Sequence, residues 1–169
     1  MKQPSDRQVE RIRQRRARER LNIFSRLPAT YAVSRLQGQR LLQHAGPLSI
    51  LEWRVLWDLH ECGSMTIRDL AEIHRTDHSQ LSRALPAMRD KGYVTMIRDS
   101  DDGRQVMVEL ADAGKRAYST SAPVMKRRRD ALQQEFTAEE LATFAALLDR
   151  MDDFLRRPIN QILNSEVTE

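Results

Sequence analysis

Residues 66–110 read TIRDLAEIHRTDHSQLSRALPAMRDKGYVTMIRDSDDGRQVMVEL, and the reading of this stretch decides the fold. Thr66 followed three residues on by Asp69 has capping-box spacing, in which each residue's side chain satisfies the other's backbone N–H. A helix therefore opens here, buries Ile67, Leu70 and Ala71, and ends near His74. After the Arg75-Thr76 turn, Asp77 caps a further helix that reaches toward Asp90 and stops at Lys91-Gly92, a glycine C-cap. Two short helices joined by a tight turn make a helix-turn-helix. At about 100° per residue, Leu81, Ala84, Leu85 and Met88 share one side of the second helix, while Ser79, Ser82, Arg83 and Pro86 lie opposite. Pro86 removes a hydrogen bond and costs roughly 3 kcal/mol in a helix interior, which marks Ser82–Pro86 as the place for a kink or break.

Downstream, 93–98 (Tyr-Val-Thr-Met-Ile-Arg) and 105–110 (Gln-Val-Met-Val-Glu-Leu) are β-rich, with Val106, Val108 and Leu110 alternating. The residues between them, Asp99-Ser100-Asp101-Asp102-Gly103-Arg104, are polar and turn-forming, so the pair reads as a hairpin with a solvated tip. A hairpin placed after the second helix is a wing.

Upstream, Ser49 and Glu52 form another capping box, and Leu48 and Trp53 are placed to staple it. Ile50, Leu51, Trp53, Val55, Leu56, Trp57 and Leu59 then occupy nearly every face of a helix that Gly63 closes, which predicts a central, buried element. From Val9 to about Gln43 the chain is poor in breakers except Pro28 and Gly38, and reads as one long helix with room for a kink. Residues 112–133 read as a helical stretch interrupted at Pro123. Thr137 and Glu140 then open the last helix, whose Leu141, Phe144, Leu148, Met151 and Leu155 form a one-sided stripe, with Ile159, Ile162 and Leu163 beyond.

The composition agrees with a mainly helical single domain. The chain has 169 residues, 40% hydrophobic and 31% charged, with only six glycines and six prolines. No apolar run approaches the roughly 18 residues of a membrane span, and the N-terminus lacks a secretory signal, so a cytoplasmic protein without membrane partners is expected. The lone Cys62 has no disulfide partner and reads as a buried, inert thiol. Of the net charge of +4, residues 1–20 hold +5, from eight Lys/Arg against three Asp/Glu, leaving −1 elsewhere. Such a tail can track phosphates, attract an acidic surface, or be a solvated helix face.

The order of elements and the local residues resemble the MarR family of winged helix-turn-helix regulators across roughly residues 24–157. The resemblance is carried by Asp77-His78-Ser79-Gln80-Leu81-Ser82-Arg83, Lys91-Gly92-Tyr93-Val94, the wing from Arg98 to Arg104, and Leu110-Ala111-Asp112-Ala113-Gly114. Pro86 and the long basic stretch before Asn22 depart from the family pattern. The resemblance implies a mainly α fold with a small β-wing: a winged helix-turn-helix lobe plus N- and C-terminal dimerisation helices. Residues 1–20 are then a basic extension, 21–47 and 112–169 the dimerisation helices, and 48–111 the DNA-binding lobe. It also implies a homodimer on a pseudo-palindromic operator in double-stranded DNA, usually as a repressor.

On this reading Arg83 pairs with a base edge in the major groove, assisted by Ser79 and Gln80, while His78 and Ser82 touch phosphates. Arg104 at the wing tip is the family-matched residue for the minor groove, with Asp102 orienting it and the wing aspartates tethering Arg98 as well. The resemblance further suggests a small anionic or aromatic effector. Tyr31 and Arg35, one turn apart, and Trp53 and Trp57, one turn apart, offer an aromatic wall with a cationic anchor, against the plainer reading of both tryptophans as core. The four histidines His44, His60, His74 and His78 lack metal-ligand spacing, and three of them lie near helix ends as surface or capping groups, so neither a metal nor another cofactor is expected. The chain also lacks the Gly-x-Ser-x-Gly, phosphate-loop and His-Glu-x-x-His motifs of common enzymes. The alternative to specific DNA readout is a winged helix used only for protein contacts; the polar outward face of residues 77–86 speaks against it.

Overall fold

The computed structural model describes residues 6–18, 20, 22–75, 78–98 and 105–164. In chain order the elements are α1 (Asp6–Arg18), α2 (Ile23–Ala45), α3 (Ile50–Cys62), β1 (Met65–Thr66), α4 (Ile67–His74), α5 (His78–Asp90), β2 (Val94–Arg98), β3 (Val106–Leu110), α6 (Asp112–Glu135), α7 (Ala138–Leu155) and α8 (Ile159–Leu163). They fall into two compact units that divide within α6, after Met125. The expected mainly helical fold with a small wing is what the chain adopts.

In the first unit α3 is the hub, with Trp53, Val55, Leu56 and Leu59 buried along its length. Around it close Leu42 of α2, Leu70 and Ala71 of α4, Leu81, Leu85 and Met88 of α5, Val94 of β2, Val108 of β3 and Met125 of α6. Burying a side chain of this size contributes about 1.5–3 kcal/mol, so these residues dominate the stability of the lobe. The sheet is antiparallel in the order β1-β3-β2. In the hairpin Val94 pairs with Leu110 and Arg98 with Val106, while Met65 of β1 lies opposite Val108. The third strand was not expected, because its two residues overlap the cap of α4.

All three capping boxes form, at Ser49/Glu52, Thr66/Asp69 and Thr137/Glu140. Four expectations are corrected. The long N-terminal helix is two helices: Asn22 starts α2 by accepting the Ser25 N–H at 3.3 Å, and α2 runs through Pro28 without ending. Helix α5 passes through Pro86 and α6 through Pro123 without interruption. Each proline removes one intrahelical donor, but buried residues on both sides, Leu81, Leu85 and Met88 in α5 and Ser121 and Met125 in α6, hold the flanking turns in place. Cys62 is exposed rather than buried, being the last residue of α3.

The second unit holds the end of α6 with α7 and α8. Its apolar side chains are largely uncovered: Leu132, Phe136, Phe144, Leu147, Leu155, Ile159 and Leu163 are all exposed. On α2 of the first unit, Phe24, Tyr31, Val33 and Leu36 are exposed likewise.

Candidate nucleic-acid interface

Helix α5 is positioned by its buried stripe, which leaves the opposite side to solvent. His78, Ser79, Gln80 and Arg83 are exposed and Ser82 is half-buried. Within this face the side chains brace one another. The Ser82 hydroxyl lies 3.1 Å from His78 Nδ1, and Arg83 Nε donates to the Ser79 carbonyl at 3.0 Å. That bond anchors the stem of Arg83 and leaves its terminal nitrogens as an outward fork of donors, the geometry that suits a guanine edge or a phosphate.

Charged groups of α3 hold Lys91, the residue after α5, and the end of α4. Beyond the far end of α5, Lys91 Nζ donates to Glu52 Oε1 at 2.7 Å, while Glu52 Oε2 accepts the Ser49 N–H at 2.7 Å. Burial alone would raise the Glu52 carboxyl, but the bonds from Lys91 and Ser49 outweigh it and hold the group below the usual carboxylate range. The same bond raises Lys91 above the ordinary lysine value. Gly92, at a φ of 69°, then turns the chain into β2, a conformation that favours glycine.

At the near end, α4 finishes at His74, and Arg75 adopts a left-handed cap at φ 48°. Arg54 of α3 donates to the His74 carbonyl at 3.1 Å, and Asp58, one turn further along α3, bonds His74 Nε2 at 2.5 Å. His74 is 4% exposed, which corrects its assignment as a surface or capping group. Among the described residues its buried Nδ1 meets no hydrogen-bond partner. Burial and the nearby Arg54 push the imidazole below its ordinary value against the opposing pull of Asp58, since a proton on Nδ1 would have nothing to donate to. This Arg54-Asp58-His74 cluster fixes the entrance to the turn before α5. The sequence signal for it was slight: Arg54 and Asp58 at helical spacing, and a histidine at a helix end.

Arg98 is exposed at the end of β2. Asp77, Asp102 and Arg104 lie outside the described residues. Among the effector candidates, Tyr31 and Arg35 are exposed on α2 and Trp57 is half-buried. Trp53 is corrected to a core residue: it is 3% exposed, and its ring stacks on Tyr118 of α6 with centroids 5.3 Å apart. His60 stacks on the same tyrosine at 4.1 Å. Among the described residues no three His, Cys, Asp or Glu side chains gather as a metal site, and no helix is long and apolar enough to cross a membrane.

Residues 48–106 match the MarR family. The HTH-type transcriptional regulator Mb0904 of Mycobacterium bovis is 34% identical over 113 residues, covering 66% of this chain and 73% of that protein. Two solved structures share the fold. The M. tuberculosis transcriptional regulator MOSR in complex with DNA has a TM-score of 0.68 at 18% identity, covering 80% of this chain and 98% of that one. The PcaV transcriptional regulator of Streptomyces coelicolor in complex with its natural ligand has a TM-score of 0.61 at 23% identity, covering 75% and 92%. The family match, the 34% identical relative and the winged lobe built around α5 agree: the chain belongs to the MarR family of transcriptional regulators.

Proposed function

We propose that the protein is a homodimeric, cytoplasmic repressor that reads a pseudo-palindromic operator in double-stranded DNA and is released by a small anionic or aromatic effector. The observation that carries this reading is the outward face of α5, where polar and cationic side chains stand opposite a fully buried stripe. In the major groove Arg83 contacts a base edge with Ser79 and Gln80 beside it, and His78 and Ser82 meet phosphates. The wing, with Arg98, Asp102 and Arg104, reaches the adjacent minor groove. Residues 48–111 are the DNA-binding lobe in this scheme. Residues 21–47 and 112–169 are the dimerisation helices, because the uncovered apolar side chains of α2, α7 and α8 need a partner surface. The DNA complex of the similar MOSR protein supports the DNA reading.

For the effector, the exposed Tyr31 and Arg35 of α2 supply a ring and a cation for a carboxylate, and the half-buried Trp57 supplies a reporter. The ligand complex of the similar PcaV protein is in keeping with this. Such a ligand must prefer the conformation that does not fit DNA, since equal affinity for both states shifts nothing.

The test is to select an operator from random duplexes and titrate it by fluorescence anisotropy with the intact protein and the Arg83→Ala variant. Loss of the base contact should weaken operator binding by about 1–3 kcal/mol, roughly 5- to 150-fold, with random DNA little affected and the circular dichroism spectrum unchanged. Equal discrimination between operator and random DNA in both proteins refutes the assignment. An aromatic acid should lower the affinity of the intact protein and leave Arg35→Ala unaffected; the opposite pattern removes the effector site.

A further inference from the structure

The first helix has no part in the core: none of its residues joins the buried cluster, and Val9 and Ile12 are about half exposed. What it presents is charge. Arg7, Arg11, Arg15 and Arg18 follow one another at steps of four, four and three, which sets them on one side of the helix. At about 1.5 Å per residue the ridge is roughly 16 Å long. Arg11, Arg15 and Arg18 lie beside one another on the exposed surface of the helix, with Gln8, Gln14 and the half-exposed Ile12 next to them. Among the described residues Arg7, Arg11 and Arg18 meet no carboxylate. Glu10 is engaged on the neighbouring side, with Gln14 at 3.1 Å and Arg13 at 4.0 Å.

Folding does not explain this arrangement. Like charges one turn apart destabilise a helix by about 0.2–0.5 kcal/mol per pair, and a 13-residue helix that contributes no residue to the core has little to set against that. A polyanion laid along the ridge reverses the sign. Duplex DNA carries one charge per about 1.7 Å of axis, so a ridge of this length faces more phosphates than it has arginines. A lipid surface fits less well, because a helix lying in a membrane needs a broad apolar face, and α1 has only Val9, Ile12 and Ala17.

We propose that α1 is a phosphate-binding arm that lies against the DNA backbone beside the operator and binds it without reading sequence. This rests on the reading that the protein binds duplex DNA, and adds to it a second contact built from a different part of the chain. The arm raises affinity and speeds encounter on any duplex, and leaves discrimination to α5.

The experiment compares the intact full-length protein with the triple variant Arg7→Gln, Arg11→Gln, Arg18→Gln on operator and random duplexes of equal length. Anisotropy titrations run from about 50 to 300 mM salt, where each phosphate contact contributes about −0.9 to the slope of log K against log[salt]. The variant's slope should be shallower by about 3 for one engaged arm and 5 for two, equally on both duplexes, with the operator-to-random ratio kept within about two-fold. An unchanged slope overturns the arm, as does a loss confined to the operator, which would make α1 a sequence reader. Vesicles containing phosphatidylserine that sediment the intact protein but not the variant, with equal DNA slopes, assign the ridge to lipid and also overturn it. If the intact protein binds no duplex at any salt, the DNA-binding reading itself fails; if it binds and only the slopes coincide, that reading stands and the arm alone falls.

Discussion

Gly114→Ala places a methyl group where the lobe has no room for one. A Cβ on Gly114 would lie 2.0 Å from the Tyr93 carbonyl oxygen, 2.9 Å from its carbon and 3.1 Å from Leu56 Cδ2. None of these can give way cheaply. Leu56 is fully buried, and the Tyr93 carbonyl accepts the Ala111 N–H at 3.0 Å, the bond that joins the entry of the hairpin to the start of α6. The first turn of α6 must move by more than about 1 Å, which strains or breaks that bond, so overpacking of about 1–3 kcal/mol combines with a hydrogen-bond loss of about 0.5–1.5 kcal/mol. Alanine's better helix propensity offsets about 1 kcal/mol. The net loss is about 0.5–3.5 kcal/mol, and the middle of that range, about 2 kcal/mol, should lower the Tm by about 4–8 °C in a circular dichroism melt. Gly46→Ala is the control, since its φ is 172° and nothing lies within 4 Å of the added methyl. Equal Tm values for the two variants would refute the packing argument.

Two further outcomes follow from the charged groups of α3 and the residues they bond, His74 and Lys91. His74 titrates below its ordinary value when folded, so the unfolded chain takes up the proton more readily. Stability should be complete above about pH 6.5 and fall as the pH drops through the folded value, and His74→Gln should flatten the dependence of the urea midpoint over that range. Parallel pH profiles would show that His74 is not the group responsible. For the Glu52–Lys91 pair, a double-mutant cycle with Glu52→Ala and Lys91→Met should give a coupling above about 0.5 kcal/mol, and strict additivity would remove the link between α3 and the end of α5.

What could be read in the sequence was what the chain arranges locally. Each capping box joins residues three apart, and the faces of α5 follow from helical period, so both were legible before any tertiary contact was known. The prolines misled because a local penalty says nothing about burial on either side: Leu81 and Met88 hold α5 together across Pro86. Asp58 and His74 are 16 residues apart and Glu52 and Lys91 are 39, with no spacing rule to connect them. Trp53 lies in a helix apolar on nearly every side, and only the packed fold reveals that Tyr118 covers its ring.

The division of labour along α5 bears on how such a regulator changes its target. Leu81, Leu85, Met88 and the Gly92 turn hold the helix; positions 79, 80 and 83 contribute nothing to the core. Under the proposed reading, in which these positions contact the operator, a lineage rewrites its genomic address through a few surface codons without passing through a misfolded ancestor. An engineer can do the same by grafting those positions from one relative to another while leaving the scaffold untouched.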